Sequence, residues 1–467
     1  MTQEPAWLSR LLAPVTEVRR GEAITALLLT LNVFLLLTAY YVIKPVREAM
    51  ILALDSGAEY KSYMSGVIAV ALLVAVPAYA RVVDKLPRSR LVVGVTLFFA
   101  LHLLLFFAAS GSASLRNGMG LVFYVWVGIF NMLVVAQFWA FANDLYTEER
   151  GKRLFPLVAL GASLGAAVGS KVAALMIPSL GLYPMLLAGC VLLVACAGLF
   201  WWVDLRERAL GSESPPAARP ELATEGGSGG AFQMVLRNRY LLLLALFSLV
   251  FSWANTNGEY MLGKVVKGAA SAAVARGEIA AADQGAYIGA TYGDFFFYVN
   301  VAGVFLQAFV VSRLIRSIGF GAAFLLMPAL VFGNALLIAS LPVLAVVRIG
   351  KIAENATDYS LNNTLRQMLW LSTTQEQKYK AKQAVDTFFV RAGDVSSALL
   401  IYAGVGWLSW AIPQFAIANA VLAVAWLGVA VLIIREQRRS SARAATPGSG
   451  AQRLGESSAA GRSKPAS

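Results

Sequence analysis

From Pro342 the chain reads "PVLAVVRIGKIAENATDYSLNNTLRQ", an apolar stretch threaded with ionisable and amide side chains at helical spacing. At 100° per residue, Arg348, Lys351, Asn355, Asp358, Asn362 and Arg366 fall within an arc of about 80°, with Glu354 just beside it. Cations and amides on one face suit a multiply charged anion, because ammonium and guanidinium groups donate to phosphate or carboxylate oxygens. The acids among them suit another task, as counter-charges that exchange partners or as proton carriers. The same mixture recurs in "YYVIKPVREAMIL", with Lys44, Arg47 and Glu48, and in "NTNGEYML", with Glu259. It recurs again where Asp386, Arg391 and Asp394 follow one another, the last two at i and i+3 and so able to pair on one face.

The elements that must position these groups are membrane-spanning helices. Of 467 residues, 58% are hydrophobic and 14% charged, and apolar runs of about 20 residues recur along the chain. A bilayer core about 30 Å thick takes roughly 20 helical residues to cross. Spans are predicted at 24–43, 62–82, 91–110, 120–142, 155–177 and 183–203, then at 238–258, 294–312, 321–340, 342–362, 384–406 and 411–434. The first is read as uncleaved, since no small-residue cleavage site follows it. Residues 204–232, rich in Pro, Gly, Ser and charge, predict a flexible cytoplasmic linker, and residues 436–467 a disordered cytoplasmic tail. The expected units are therefore six-helix bundles over 1–203 and 233–435.

Basic residues set the expected orientation. Arg10, Arg19 and Arg20 precede the first span, Lys152 and Arg153 follow the fourth, Arg313 and Arg316 the eighth, and Arg435, Arg438 and Arg439 the twelfth. This alternation places both termini in the cytoplasm and the chain, multi-pass, in a bacterial inner membrane. Lys264, Lys267 and Arg276, beyond the seventh span, are the exception. The net charge of +13 is topological on this reading and calls for a lipid bilayer rather than nucleic acid.

The halves echo each other. "ARVVDKLPRSR" (80–90) answers "SRLIRSIGFG" (312–321), and "TEERGKRLF" (147–155) answers "TQEQKYKAK" (374–382). The fold class expected is an all-α polytopic membrane protein, with twelve transmembrane helices in two six-helix parallel repeats of major-facilitator type. Its central cavity lies at the repeat interface. Lys351 and Glu354 would sit about 13 to 18 Å from Pro342, near the midplane, where a lipid-facing charge costs on the order of 2.5 to 3.5 kcal/mol. The alternative for that stripe is structural pairing, for instance of Lys351 with Glu354.

Other features have plainer readings. Gly161, Gly165 and Gly169 form a small-residue run suited to close helix packing, and Lys171 is expected to snorkel. Cys190 and Cys196, at i and i+6, point to different faces and predict no mutual disulfide. The single histidine, His102, has no metal-ligand company. No G-x-x-x-x-G-K-[ST] loop occurs, so transport is expected to be driven by exchange or a gradient, without cofactor or catalytic chemistry.

"FWAFANDLYTEERGKRLFPLVALGASLG" (138–165) and "DYSLNNTLRQMLWLSTTQEQKYKAKQAVDTFFVRAGD" (358–394) resemble the paired signatures of the ATP/ADP translocases of plastids and obligate intracellular bacteria. "YYVIKPVREAMIL" and "NTNGEYMLGK" resemble that family's first and seventh spans, and the likeness runs through all twelve. It implies counter-exchange of ATP and ADP, with Arg47 and the run Lys378, Lys380 and Lys382 at basic positions and Glu259 at an acidic one. Two positions depart from the pattern. The acid expected about eleven residues before "FWAFAN" is replaced by the neighbourhood of Val127 and Gly128, and Asp358 stands where the translocases align a lysine.

Three functions stay open at this level. The first is nucleotide exchange and the second proton-coupled transport of another organic anion. The third, a membrane sensor or intramembrane enzyme, would need an output domain or catalytic constellation that linker and tail do not supply. The residues expected to bind a small anionic substrate are Lys44, Arg47, Arg348, Lys351, Asn355, Asn362, Lys380 and Arg391. Those expected to gate or carry protons are Glu48, Glu259, Glu354, Asp358, Asp386 and Asp394. One copy of the chain suffices for this scheme.

Overall fold

The computed structural model of the protein describes residues 22–83, 87–209, 228–374 and 376–445. The expected loop signal at Asp84 and Lys85, most of the linker and the end of the tail lie outside the described residues.

Six long helices form the first half: α1 (Ala23–Leu52), α2 (Gly57–Val83), α3 (Arg88–Ala109), α4 (Ala113–Leu145), α5 (Glu148–Leu180) and α6 (Pro184–Ala209). A ten-residue helix, Ser228–Arg237, precedes the second half. There follow α7 (Arg239–Ala275), α8 (Gln284–Phe305), α9 (Val311–Ser340), α10 (Leu344–Thr357), α11 (Val390–Gly406) and α12 (Ile412–Ala445). No strand occurs among the described residues. Nine stretches of these residues are long and apolar enough to cross a bilayer. One of them, the 60 residues Ala281–Ser340, makes two passes because Gly319 (φ 77°) breaks the helix. The left-handed backbone there costs a glycine little. With α2 and α10 the passes number twelve.

The packing repeats. α1 lies against α4, α5 and α6, α3 against α4 and α6, and α2 against α4. In the same order α7 lies against α10, α11 and α12, α9 against α10 and α12, and α8 against α10. Between halves, α5 meets α8 as α2 meets α11, and α1 meets α8 as α2 meets α7. This is the arrangement of two parallel repeats around a shared axis.

Three departures from the expected spans matter for the site. α1 does not end at Ile43 but continues to Leu52 through Pro45, so Lys44, Arg47 and Glu48 lie within the helix. α7 is 37 residues long, about 55 Å at 1.5 Å per residue, and carries Lys264 and Lys267 on the helix rather than in a loop. Those two lysines hold the α1–α2 turn: Lys264 pairs with Glu59, and Lys267 donates to the Leu54 and Asp55 carbonyls. α6 and α12 likewise run into the stretches expected as linker and tail, to Ala209 and Ala445.

One apolar core fills the first half and continues into α7 and α8 at the end that carries the α1–α2 turn, taking in Tyr260, Met261, Ile288 and Phe295. A second, around Phe247, Phe324 and Trp426, occupies the other end of the second half. Outward-facing apolar residues such as Val74, Leu105, Trp201, Leu399 and Val421 are exposed, as a lipid-facing surface requires. The glycine run packs as expected. A Cβ on Gly161 or Gly169 would come within 2.7 Å of Thr30 or 2.5 Å of the Thr38 carbonyl, and Gly165 lies directly on the Phe34 backbone. Both cysteines are free. Lys171 does not snorkel but pairs with Asp294 of α8 at 2.9 Å, joining the two halves.

Candidate functional site: a charged cavity between the halves

A cavity of about 280 Å³ opens between the halves, walled by α1, α2 and α4 on one side and α7, α8, α10 with the turn that follows it, and α11 on the other. Eight of the expected residues line it: Lys44, Arg47, Asn355, Arg391, Glu48, Glu259, Asp358 and Asp394.

Its charges form chains. Glu48, 1% exposed, takes Arg47 on one side and Lys61 at 2.8 Å on the other. Lys61 reaches on to Glu259 at 3.3 Å, and Glu259 accepts from Asn355 at 3.1 Å and lies 3.6 Å from Lys351. Lys351, wholly buried, closes on Glu354 at 3.0 Å and on the Asn255 amide oxygen, and Glu354 accepts from Asn334 at 2.6 Å. Alternating signs therefore run from α1 through α2 and α7 to α10 and α9. Glu48, Lys61, Glu259 and Lys351 each sit between opposite charges, which is what makes a desolvated charge tolerable. Gly258 makes room for the chain, since a Cβ there would lie 3.0 Å from Lys351 Nζ. On the opposite wall Arg391 pairs with Asp394 at 3.0 Å, as its i, i+3 spacing predicts, and Asp394 also accepts from Ser252 and Thr256.

Two cavity residues stand apart. Lys44 has no carboxylate or carbonyl partner among the described residues; its Nζ lies 3.9 Å from the Phe296 ring centroid and 5.0 Å from that of Tyr41. Cation–π contact holds this ammonium in place without neutralising it. Asp358 accepts from Asn362 at 2.7 Å and has no basic partner within 4 Å among the described residues. The cavity thus offers one cation and one carboxylate that stand outside its ion pairs, with Tyr124, Phe296 and Tyr359 among its lining.

The remaining expected residues lie elsewhere. Lys351 and Glu354 pack behind the wall as the structural pair that the sequence left as the alternative. Arg348 lies over the Tyr298 ring, 6.0 Å from its centroid, away from the cavity. Asn362 is buried and reaches the site only through Asp358. Lys380 is exposed and pairs with Glu376, and Asp386 pairs with Arg366, both far along the chain toward the helix ends that carry the termini. Beyond Thr357 the uniform 100° arc fails because a π turn, Asp358–Asn362, interrupts the tenth pass and re-aims everything after it, whereas Arg348 shares the face of Asn355 and lies about two turns from it along α10.

The sequence of the chain carries the same message as its geometry. Residues 112–437 match the profile of the TLC ATP/ADP transporter family.

The chain belongs to that family.

Relatives of this TLC family member include "ADP,ATP carrier protein 1" of Chlamydia trachomatis serovar D, 24% identical over 68% of this chain and 65% of the relative. The chain thus matches a little under two thirds of that carrier's length. "ADP,ATP carrier protein 4" of Rickettsia conorii is 22% identical over 85% of this chain and 87% of the relative. Among solved structures, the nucleoside transporter NupG superposes with a TM-score of 0.61 at 11% identity, covering 88% of this chain and 98% of that one. A bacterial homologue of the iron transporter ferroportin gives 0.60 at 12%, covering 88% and 98%. These likenesses establish the fold, a multi-pass major-facilitator architecture, and nothing beyond it.

Sequence reasoning about this family member missed Lys61, the residue that links its two acidic clusters. The second span was taken to begin at Ser62, five residues after the helix starts at Gly57, so the buried Lys61 fell into a presumed loop. Asn255 and Thr256 were also missed, although they precede Glu259 by one helical turn in "SWANTNGEY" and share its face.

Proposed function

We propose that the protein exchanges ATP for ADP, or a closely related phosphorylated anion, by alternating access of its two halves around the central cavity. The observation that carries this reading is Lys44, a cation with no ion pair among the described residues in a cavity where the other three cations are already paired. An arriving phosphate supplies the direct partner that Lys44 lacks. The exposed ring of Tyr359 suits a base, and family membership and the names of the relatives support a nucleotide.

The two halves are joined by Lys61–Glu259, Glu59–Lys264, Lys171–Asp294 and the Asn300 amide on the Ser170 hydroxyl, all toward the end that carries the α1–α2 turn. With the basic loops Arg313–Arg316 and Lys378–Lys382 on the cytoplasmic side, this is a conformation closed to the outside, with both termini in the cytoplasm of a bacterial inner membrane. The bundles over 1–203 and 233–435 are the bodies that rock.

Uptake of labelled ADP into liposomes bearing the purified protein tests the reading. Uptake that requires trapped ATP or ADP supports exchange; uptake indifferent to internal nucleotide refutes it. Asp358 supports a second reading, proton-coupled transport of another organic anion, in which this unpaired carboxylate carries the proton. That reading requires uptake to collapse with an uncoupler.

A further inference from the structure

A larger pocket, of about 920 Å³, lies at the opposite end of the second half from the α1–α2 turn. It is bounded by the start of α7, the turn after Gly319, the segment between the tenth and eleventh passes, and the end of α12. Three arginines line it, Arg237, Arg239 and Arg438, against one acid, Glu436. Glu436 lies 3.8 Å from Arg239 and 4.0 Å from Arg439, while Arg237 and Arg438 have no partner among the described residues.

The pocket is built rather than incidental. The Tyr240 hydroxyl at its floor donates to the Leu369 carbonyl at 2.7 Å and accepts from Gln437 at 3.0 Å, tying the start of α7 to both the tenth pass and α12. Asn238 caps α7, accepting from the Tyr240 and Leu241 backbone amides, and the exposed Arg237 and Arg239 on either side of it both line the pocket. Arg438 passes beside Gly321, where a Cβ would lie 3.9 Å from its Nη2.

Position completes the case. The pocket sits where α7 and α12 leave their apolar stretches, at Arg239 and Arg439, and so at the membrane surface. Leu236 and Ile318 are exposed near its edge, placed for acyl chains to lie beside an arginine-bound headgroup.

We propose that this pocket binds a phosphate-bearing anion, with the headgroup of an acidic membrane lipid as its occupant. Guanidinium forks match phosphate oxygens two at a time, and arginines rather than lysines supply every cation of the lining. The site is separate from the central cavity, and the inference does not depend on the substrate carried there.

The test uses full-length protein in neutral detergent micelles, titrated with phosphatidylglycerol, phosphatidylcholine or inorganic phosphate while the unfolding temperature is followed. Phosphatidylglycerol should raise that temperature saturably and phosphatidylcholine should not. The double variant Arg237→Gln/Arg438→Gln should need roughly 25-fold more phosphatidylglycerol for the same shift, since each cation near an anionic headgroup contributes roughly fivefold. Gly321→Leu, which narrows the pocket without changing charge, should also weaken the response, and Arg276→Gln, at the other end of α7, should leave it unchanged. An arginine-dependent shift with inorganic phosphate at millimolar concentration, but none with the lipid, keeps the phosphate site and overturns the lipid as its occupant. Equal lipid responses in wild type and double variant overturn the site itself.

Discussion

Lys61 of α2 and Glu259 of α7 lie 3.3 Å apart, and their contact joins one six-helix half to the other. Because Lys61 also holds Glu48 at 2.8 Å, a single ammonium serves acids on both sides of the cavity. Lys61→Gln should leave the buried Glu48 and the half-buried Glu259 each short of a partner. Breaking such a pair costs about 3 to 5 kcal/mol, so the unfolding temperature should fall, and the half of the molecule near the α1–α2 turn should open. Labelling of a single cysteine at Ser62 by a membrane-impermeant maleimide reads the opening. Adding Glu259→Gln to Lys61→Gln should recover part of the stability, and failure to recover any would remove this pair from the gate.

Lys351 behaves differently from a substrate ligand. It is wholly buried, and Lys351→Ala would strand Glu354, whose remaining hydrogen-bond partner is Asn334. The variant should therefore lose stability, by about 3 kcal/mol or more, as well as transport. Lys351→Met combined with Glu354→Gln should restore much of the stability. A singly substituted protein that melts like wild type yet cannot bind substrate would return Lys351 to the cavity.

Gly165 of α5 lies on the Phe34 backbone of α1, so Gly165→Leu has nowhere to place its side chain. Separation of α1 from α5 should lower stability by at least about 1 to 3 kcal/mol, measured by thermal unfolding in detergent. Gly198→Leu, where a Cβ meets nothing within 4 Å, is the matched control and should be tolerated.

Asp358→Asn separates the two transport readings. It keeps the side-chain volume and a hydrogen-bond partner for Asn362 but removes the charge. Under nucleotide exchange, uptake driven by internal nucleotide should persist and the rate should vary less with pH. Under proton coupling, gradient-driven uptake should vanish, and exchange without a gradient should survive.

Much of the fold was legible because apolar runs of bilayer length, broken by basic loops, constrain a membrane chain more tightly than any motif. The ends of the helices were not. Hydropathy stops at a charge, whereas α1 continues past Lys44 to Leu52 because the neighbouring helices supply the counter-charges. Arg391–Asp394 could be read from spacing alone, since both lie on one uninterrupted helix. The grouping of Arg366 with the cavity could not survive, because the π turn at Asp358–Asn362 shifts the register and leaves no mark in a residue-by-residue arc, and Arg348 shares the face of Asn355 but lies about two turns away along α10. Lys61 illustrates the remaining gap: its role depends on acids 13 residues earlier and 198 later, at Glu48 and Glu259.

Lys44 bears the most direct test. It has ring contacts but no ion pair to lose, so Lys44→Gln should fold and melt as wild type does. In liposomes loaded with ATP, initial uptake of labelled ADP should show a half-saturating concentration raised at least about tenfold, as loss of one charge-assisted contact worth roughly 1.5 to 3 kcal/mol requires. Nucleotide exchange with unaltered half-saturation in that variant would contradict the assignment of the cavity as the place where the anion binds.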